Sequence, residues 1–292
     1  MLKLVALLAL AAPAFAATVP NAVVVDPAPD AVAPAGMAAF VLPVEGGAVN
    51  AVMYTASGAR PHPTLLLLHG FPGNEQNLDL AQAARRAGWN VLTFHYHGSW
   101  GSPGAFSLGG ATSDARAVVR FLLDPKTVAK YRIDPARIVV AGHSMGGFMA
   151  ADAAATEPRV AGLVLIDAWN IAETARSLAT EQGRREWHEE AVGDLPPLAG
   201  TSEQALADEM IAGGARFDLP KRIAAYGKRP LLVLGAERGG GRAAEQTLEA
   251  AARSAGNDRV AGQVMPTDHP FSDHRITLAA AMIDWLGTIG AR

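Results

Sequence analysis

The chain has 292 residues, half of them hydrophobic and 18% charged, which is enough for one large domain or two small ones with a sizeable core. The formal net charge is −3 and no basic run occurs, which argues against nucleic acid or an anionic membrane as the main partner. The chain has no cysteine, so its stability must come from core packing rather than from disulfides.

The N-terminus has the pattern of a secretory signal peptide. A positively charged start is followed by an apolar stretch at residues 4–12 and by the small-x-small sequence Ala14-Phe15-Ala16. The apolar stretch is too short to span a membrane, which takes about 20 residues. We therefore predict a signal peptide at residues 1–16 and export to a bacterial periplasm or the medium. Residues 17–37, rich in Pro, Ala and Val, are predicted to form an extended leader.

From residue 38 onward, apolar runs alternate with amphipathic segments. Runs at 38–44 and 49–55, separated by a Gly-containing loop, predict a β-hairpin. Further strands are predicted at 64–68, 90–94, 137–141, 161–166, 229–234 and 260–265, and helices at 78–87, 113–123, 144–155, 243–252 and 273–286. Buried strands that alternate with helices are typical of an α/β fold with a doubly wound, mostly parallel sheet. We predict this fold for residues 38–292.

One segment interrupts the alternation. Residues from about 170 to 226 are polar, charged and helix-like, and Leu195-Pro196-Pro197 breaks them. Connections between strands and helices usually have about two to six residues, so this segment is an insertion. We predict that it forms a helical lid over the functional site. The alternative is a helical excursion that packs on the flank of the sheet.

The sequence Gly142-His143-Ser144-Met145-Gly146 lies between a predicted strand and a predicted helix. A G-x-S-x-G motif in this setting is typical of a nucleophile elbow. Glycines permit the strained turn that lifts the serine hydroxyl clear of the backbone, and the helix N-terminus favours developing negative charge. Ser144 is therefore the predicted nucleophile.

A serine hydroxyl needs a base to take its proton. In sheets of this type the acid and then the histidine follow the serine along the chain, which excludes the five histidines up to His143. His188 lies in the predicted lid, and His274 lies in the last predicted helix. His269 lies in the loop between the last strand and the last helix, where loops converge over the elbow. We predict that His269 is the base.

Four further segments resemble sequence motifs of a known protein superfamily. They are residues 268–275, His69-Gly70-Phe71-Pro72-Gly73, Ser99-Trp100-Gly101-Ser102-Pro103-Gly104 and Arg132-Ile133-Asp134-Pro135. Together with the elbow they resemble the α/β-hydrolase superfamily, particularly its prolyl-oligopeptidase-like and dienelactone-hydrolase-like branches. The resemblance covers the chain from about residue 38 to the end, apart from the predicted lid. It implies the α/β-hydrolase fold and a serine hydrolase.

The resemblance also implies an oxyanion hole. The superfamily takes one backbone N–H donor from the residue after the nucleophile, here Met145, and another from the loop after the third strand, here Phe71. Donors aimed at the oxyanion are worth roughly 3–4 kcal/mol each. His69 is expected to brace this loop by hydrogen bonding.

The acid that orients the histidine has two candidates. Resembling enzymes carry Asp or Glu three residues past the glycine that follows the strand at 229–234, and Arg238 stands there. Glu237 is the preferred candidate, because it is the only carboxylate between residues 235 and 241 and the glycines beside it would let the loop turn inward. Asp167, after the preceding strand, is the alternative, because some lipases of the superfamily place their acid there.

Aromatic side chains near these segments are candidates for the substrate pocket. We predict that Trp100 and Trp169 line it, and Trp187 is a further candidate. Packing in the core or the lid is the alternative for all three.

His95 and His97 raise the question of a metal site. Two residues apart on a strand, both rings would face one side and could share an ion. No Asp or further His follows at metal-site spacing, so we predict no metal.

These features predict an exported serine hydrolase that cleaves carboxylic esters or related acyl bonds of a small-molecule substrate without a cofactor. A serine peptidase acting on short or acylated peptides is the alternative that the prolyl-oligopeptidase-like segments favour. A non-catalytic binding protein on a hydrolase scaffold is the alternative of another class, supported by the displaced acid. Neither nucleic acid nor a membrane is an expected partner, and no pattern sets an oligomeric state.

Overall fold

A computed structural model describes residues 18–290, so the predicted signal peptide lies outside the described residues. One sheet forms its centre. The strands are β1 (Gly36–Val44), β2 (Gly47–Thr55), β3 (His62–Leu68), β4 (Asn90–Phe94), β5 (Ile133–His143), β6 (Val160–Ile166), β7 (Leu231–Arg238) and β8 (Val260–Asp268). Their order is β1-β2-β4-β3-β5-β6-β7-β8. β2 is antiparallel to β1 and to β4, and all other neighbours are parallel.

Helices cover both faces of the sheet. They are α1 (Asn21–Val24), α2 (Leu78–Arg86), α3 (Leu108–Leu123), α4 (Pro125–Tyr131), α5 (Met145–Thr156), α6 (Ile171–Ser177), α7 (Glu181–Ala191), α8 (Glu203–Gly213), α9 (Leu219–Tyr226), α10 (Gly241–Ser254) and α11 (Arg275–Gly287). One core cluster joins the sheet to α3, α5 and α9, and a second joins its other face to α2 and α11. The predicted α/β fold with a mostly parallel sheet is confirmed. Within residues 18–290, no helix combines the length and apolarity needed to cross a membrane.

Burial explains why the central strands read as unbroken apolar runs. Every residue of β3 and β4 is buried, and so are the last six of β5, because helices cover both faces there. The edge strand β1 instead alternates between exposed and less exposed positions over most of its length. The sheet core thereby fixes the carboxyl ends of β5, β6 and β8, which carry the site.

Two helices differ from the prediction because their caps outweigh weak local helix propensity. α3 begins at Leu108, five residues before the predicted start, where the hydroxyl of Ser107 accepts a hydrogen bond from the N–H of Gly110 at 3.0 Å. The pair of glycines in that first turn hides the helix in the sequence. α4 was not predicted, and it starts with Pro125 beside the capping carboxylate of Asp124.

The leader is not extended throughout. Residues Asn21–Val24 form the short helix α1, and β1 already begins at Gly36. The guanidinium of Arg86 donates to the carbonyl oxygens of Ala22 at 2.6 Å and Val23 at 3.0 Å, which ties α1 to α2. These contacts between distant residues cannot be read from the composition of the leader.

The segment predicted as a lid contains α6 to α9 and a 3-10 helix at Gly214–Phe217. The carboxylate of Glu209 accepts hydrogen bonds from the N–H groups of Leu108 at 2.8 Å and Gly109 at 2.7 Å, at the start of α3. Arg222 lies 3.3 Å from the buried carboxylate of Asp152 on α5. Both contacts anchor the segment 170–226 to helices that cover the sheet.

Candidate active site

Ser144 occupies a strained turn between β5 and α5. Its φ of 55° and ψ of −123° lie where non-glycine residues are rare, and such strain clusters at functional sites. Its N–H donates to the carbonyl oxygen of Ile166 at 3.0 Å, which fixes the turn to β6. A Cβ on Gly142 would overlap the carbonyl of Gly146, so the first glycine of the motif leaves room for the last.

His269 and Asp167 form a hydrogen-bonded pair at the carboxyl ends of β8 and β6. The distance from His269 Nδ1 to Asp167 Oδ2 is 2.5 Å, and 102 residues separate the two in the chain. The side chain of Asp167 is 3% exposed and that of His269 is 43% exposed. Because Nδ1 is engaged with the carboxylate, Nε2 is the ring nitrogen left for the cavity that His269 lines together with Ser144.

Two backbone N–H groups hold the carboxylate of Asp167, and one of them contacts both of its oxygens. Its oxygens accept hydrogen bonds from the N–H groups of Ala236 and Gly240, each at 3.1 Å. Burial opposes ionisation, but the hydrogen bonds from His269 and from these amides outweigh it and lower the pKa of Asp167. A Cβ on Gly239 would overlap the carboxylate, so the loop closes around Asp167 only because glycine stands there.

The prediction that Glu237 is the partner of His269 is wrong, because Asp167 forms the hydrogen bond to His269. Glu237 lies at the irregular end of β7, where the pairing with β8 shifts between Ala236 and Arg238, and its side chain is exposed. The glycines after it do not turn it inward; they wrap the carboxylate of Asp167 instead. The usual position is taken by Arg238, which donates to the carbonyl oxygen of Pro266 at 3.1 Å.

The loop at residues 69–73 lies against Ser144. A Cβ on Gly70 would come within 2.9 Å of Ser144 Cβ, and Phe71 lines the same cavity as Ser144. Met145 is the first residue of α5, where the helix leaves its N–H groups without intrahelical acceptors. In the described part of the chain, neither the Phe71 nor the Met145 N–H has a recorded acceptor outside the regular elements. Both predicted oxyanion donors therefore lie beside Ser144.

His69 braces this loop by hydrogen bonds from both ends. Its Nδ1 lies 2.7 Å from the carbonyl oxygen of Gly70, and its own carbonyl accepts from the hydroxyl of Tyr96 at 3.1 Å. Burial lowers the pKa of His69 to about 4, so the ring is neutral near pH 7 and donates from Nδ1 to the carbonyl.

His143 is a residue near the site to which sequence reasoning gave no function. Its ring is buried, its Nε2 lies 2.9 Å from the carbonyl oxygen of His269, and the two ring centroids are 4.5 Å apart. Burial, and secondarily the nearby His269, lower the pKa of His143 to about 4. Chain order correctly excluded it as the base, but its place beside Ser144 in the motif was a signal that it lies near the site.

The cavity over Ser144 has a volume of about 480 Å³. The strand ends and the loop 69–73 supply Phe71, Ser144, Asp167 and His269. The segment 170–226 supplies Asn170, Glu173, Glu190, Asp194, Leu219 and Pro220. The segment thus forms a wall of the cavity, which is the position that a lid requires.

The tryptophans divide between the cavity and its support. Trp169 lines the cavity, and Trp187 is buried behind it with the two rings stacked at 6.2 Å. Trp100 does not line it, contrary to the prediction, because its indole N–H donates to the carbonyl oxygen of Pro72 at 2.9 Å. Trp100 therefore supports the loop 69–73 from outside.

His95 and His97 have different partners rather than a shared site. His95 Nδ1 lies 3.3 Å from His69 Nε2, whereas His97 Nδ1 lies 2.6 Å from the carboxylate of Asp114 on α3. Within residues 18–290, no group of three or more His, Cys, Asp or Glu is arranged to hold a metal ion.

This arrangement, with a serine on a sharp turn after the central strand of an eight-stranded sheet, is that of an α/β hydrolase. The alpha/beta hydrolase family matches residues 65–281 of the chain, and the chain belongs to this family.

Individual proteins are similar to parts of the chain. An uncharacterised protein of Mycobacterium tuberculosis is 32% identical over 136 residues, which are 46% of this chain and 47% of that protein. The lysophosphatidylserine lipase ABHD12 of Danio rerio is 33% identical over 105 residues, 35% of this chain and 26% of that protein. The match with this chain thus spans about half or less of the length of these curated relatives.

Two solved structures show the same fold. The esterase of Pyrobaculum calidifontis superposes with a TM-score of 0.61 at 19% identity and covers 88% of this chain and 87% of its own. Est1E of Butyrivibrio proteoclasticus superposes with a TM-score of 0.66 at 16% identity and covers 87% of this chain and 99% of its own.

Proposed function

We propose that this protein is a serine hydrolase that cleaves carboxylic esters or related acyl bonds, with Ser144 as nucleophile, His269 as base and Asp167 as the orienting acid. The observation that carries the proposal is the convergence of the strained Ser144 turn and the hydrogen-bonded pair of His269 and Asp167 on one cavity. These are the three roles that acyl transfer through a serine requires.

The reaction follows from these positions. Ser144 Oγ attacks the substrate carbonyl carbon while His269 Nε2 takes the hydroxyl proton, and the resulting imidazolium is stabilised by the carboxylate of Asp167. The tetrahedral intermediate collapses as His269 returns the proton to the leaving alkoxide, which departs as the alcohol and leaves an acyl-enzyme. Water, deprotonated by His269, attacks the acyl carbon, and the second tetrahedral intermediate collapses as His269 returns the proton to Ser144 Oγ and the carboxylic acid product leaves.

The negative charge that develops on the carbonyl oxygen during acylation and deacylation needs hydrogen-bond donors. The N–H groups of Phe71 and Met145 are assigned this role, because both residues lie beside Ser144 and the N-terminus of α5 favours negative charge. Loss of one such donor typically costs about 10²- to 10³-fold in kcat.

The choice of an ester substrate rests on the site and on the names of similar proteins. The chain needs no further group to hydrolyse an activated acyl bond, and proteins that share its fold are described as esterases. ABHD12, which is similar to part of the chain, is named a lysophosphatidylserine lipase. We further propose export after cleavage at residue 16, on the pattern of residues 1–16.

Labelling with a fluorophosphonate probe tests the proposal. The wild-type chain is expected to bind one probe covalently at Ser144 and to hydrolyse p-nitrophenyl butyrate, and Ser144→Ala is expected to do neither. Circular dichroism establishes that both proteins are folded. A folded wild-type protein that takes no label would overturn the hydrolase mechanism and favour a binding protein on this scaffold.

A further inference from the structure

The cavity over Ser144 is strongly unbalanced in charge. Four carboxylates line it, and among residues 18–290 no lysine or arginine does. The carboxylates are Asp167, Glu173, Glu190 and Asp194. Asp167 is engaged with His269, and Glu173 lies 3.8 Å from Arg176. Glu190, in the last turn of α7, and Asp194, three residues past the end of α7, are the two lining carboxylates that form no ion pair with a described residue.

Some other carboxylates of the same segment form ion pairs. Glu181 contacts Arg185 at 2.7 Å, and Glu203 contacts His188 at 2.6 Å. Within residues 18–290, no lysine, arginine or histidine nitrogen lies within 4 Å of the carboxylate of Glu190 or Asp194. Glu190 is exposed, but partial loss of solvent and the neighbouring Asp194 raise its pKa, whereas the nearby His269 lowers it. A positive charge bound nearby would relieve the repulsion between the two carboxylates.

Aromatic surfaces lie in the same wall. Trp169 and Phe71 line the cavity, and Trp169 is held in place by the stacked ring of Trp187 and by a 2.7 Å hydrogen bond from its indole N–H to Thr174. Aromatic faces attract cations, and most strongly those of quaternary and protonated amines. They also accommodate the alkyl groups that surround such a charge.

We propose that the cavity selects acyl substrates that carry a positively charged amine, with Glu190 and Asp194 as specificity-determining residues. The inference rests on the proposed function, because the site is the cavity with its nucleophile and the carboxylates set only the charge that it prefers. The amine binds as a cation and is unchanged, while the ester is hydrolysed with one water to an acid and an alcohol. Substrates with a phosphate or carboxylate group beside the acyl bond are disfavoured.

Matched substrate pairs test this selection. One pair is acetylthiocholine and its neutral analogue with a tert-butyl group in place of the trimethylammonium; the other is the p-nitrophenyl esters of ε-aminocaproate and heptanoate. The two pairs place the charge on the leaving group and on the acyl group. For at least one pair, the kcat/KM ratio of the cationic to the neutral substrate is expected to fall about tenfold in Glu190→Gln/Asp194→Asn, since charges lining a cleft raise association by 10-fold or more.

A control variant removes two negative charges from α7 at positions outside the cavity. Glu186 and Glu189 are exposed on α7 and do not line the cavity, so Glu186→Gln/Glu189→Gln is expected to keep the wild-type ratio. The ratio of the wild-type enzyme is also expected to decline from about 0.01 M to about 1 M salt, as the screening length falls from about 30 Å to about 3 Å.

The outcomes separate this inference from the proposed function. Equal loss of activity on both members of each pair would assign Glu190 and Asp194 to the electrostatics of His269 and overturn the selection. An unchanged ratio in the cavity variant, with neutral esters still hydrolysed, would overturn the selection alone. Failure of the wild-type protein to hydrolyse every ester and to take the fluorophosphonate label would overturn the proposed function as well.

Discussion

The strand ends and the segment 170–226 form two walls of one cavity by different physical means. At the strand ends, hydrogen bonds to backbone groups hold the site near Ser144: the carboxylate of Asp167 accepts from the N–H groups of Ala236 and Gly240, and the ring of His143 donates to the carbonyl oxygen of His269. On the segment, the carboxylates of Glu190 and Asp194 form no ion pair with another described residue, and Glu190 is exposed. The strand ends therefore hold their polar groups in a fixed geometry, whereas the segment contributes negative charge to the cavity.

This difference teaches where change is tolerated. A backbone contact that lies in a buried sheet cannot shift without disturbing the core, whereas a carboxylate on a helix end can be replaced with little loss of packing. We therefore expect substitutions at the strand ends to reduce the rate with every substrate, and substitutions on the segment to change mainly the choice of substrate.

The largest effect is expected from Asp167→Asn. The amide keeps the shape of the carboxylate but favours the wrong tautomer of His269 and leaves the imidazolium without a counter-charge, so kcat should fall about 10⁴-fold. Steady-state hydrolysis of p-nitrophenyl butyrate measures it. Glu237→Gln, which removes a nearby exposed carboxylate, is the control and should stay within about twofold of the wild type. A larger loss in Glu237→Gln than in Asp167→Asn would contradict the role of the β6 end.

The next effect is expected from Gly70→Ala. The added Cβ would lie 2.9 Å from Ser144 Cβ, so the loop that carries Phe71 must move away from the nucleophile. Displacement of one oxyanion donor should lower kcat by about 10²-fold or more with a smaller change in KM. Gly287→Ala, where the new Cβ meets nothing within 4 Å, is the matched control. Wild-type kcat in a folded Gly70→Ala variant would show that this loop does not supply the donor.

The buried histidines should make stability depend on pH. The pKa values of His69 and His143 are lowered to about 4 in the folded protein, below the ordinary value of 6.5. The unfolded chain therefore takes up these protons first, and stability is expected to fall as the pH drops from about 6.5 to about 4, by on the order of 3 kcal/mol for each ring.

Urea unfolding at pH 7.0 and pH 5.0 measures this loss. His143→Gln removes one titrating ring and should show a smaller difference between the two pH values than the wild type. An equal difference in both proteins would mean that His143 does not titrate between those limits.

The smallest effect is expected at His143 itself. His143→Ala removes the hydrogen bond to the carbonyl of His269 and should lower kcat about five- to tenfold, the equivalent of one neutral hydrogen bond. His143→Gln, which keeps an N–H donor, should recover most of this rate with little change in KM. No recovery with glutamine, despite equal stability, would assign the effect to ring packing rather than to the hydrogen bond.

The fold could be predicted from the sequence because its signals are local. Continuous β-branched and leucine-rich runs such as those of β3 and β5 indicate strands buried on both faces, and the turn at Ser144 is written in five consecutive residues. The position of His269 also followed from chain order and a loop at the strand ends. The missed start of α3 shows the limit of this reasoning, because a capping serine overrode two glycines that lower helix propensity.

The amino-acid sequence by itself therefore determined the parallel sheet, the elbow and the histidine loop, each of which depends on residues close together in the chain. Only the tertiary structure showed that Asp167, and not Glu237, is the hydrogen-bond partner of His269. Asp167 and His269 are 102 residues apart in the chain, and they meet because the ends of their strands lie at the same edge of the sheet. It also decided that Gly239 closes on that carboxylate, that Trp100 supports a loop, and that Glu190 and Asp194 line the cavity over Ser144. Side-chain direction at a strand or helix end depends on packing, which no local pattern encodes.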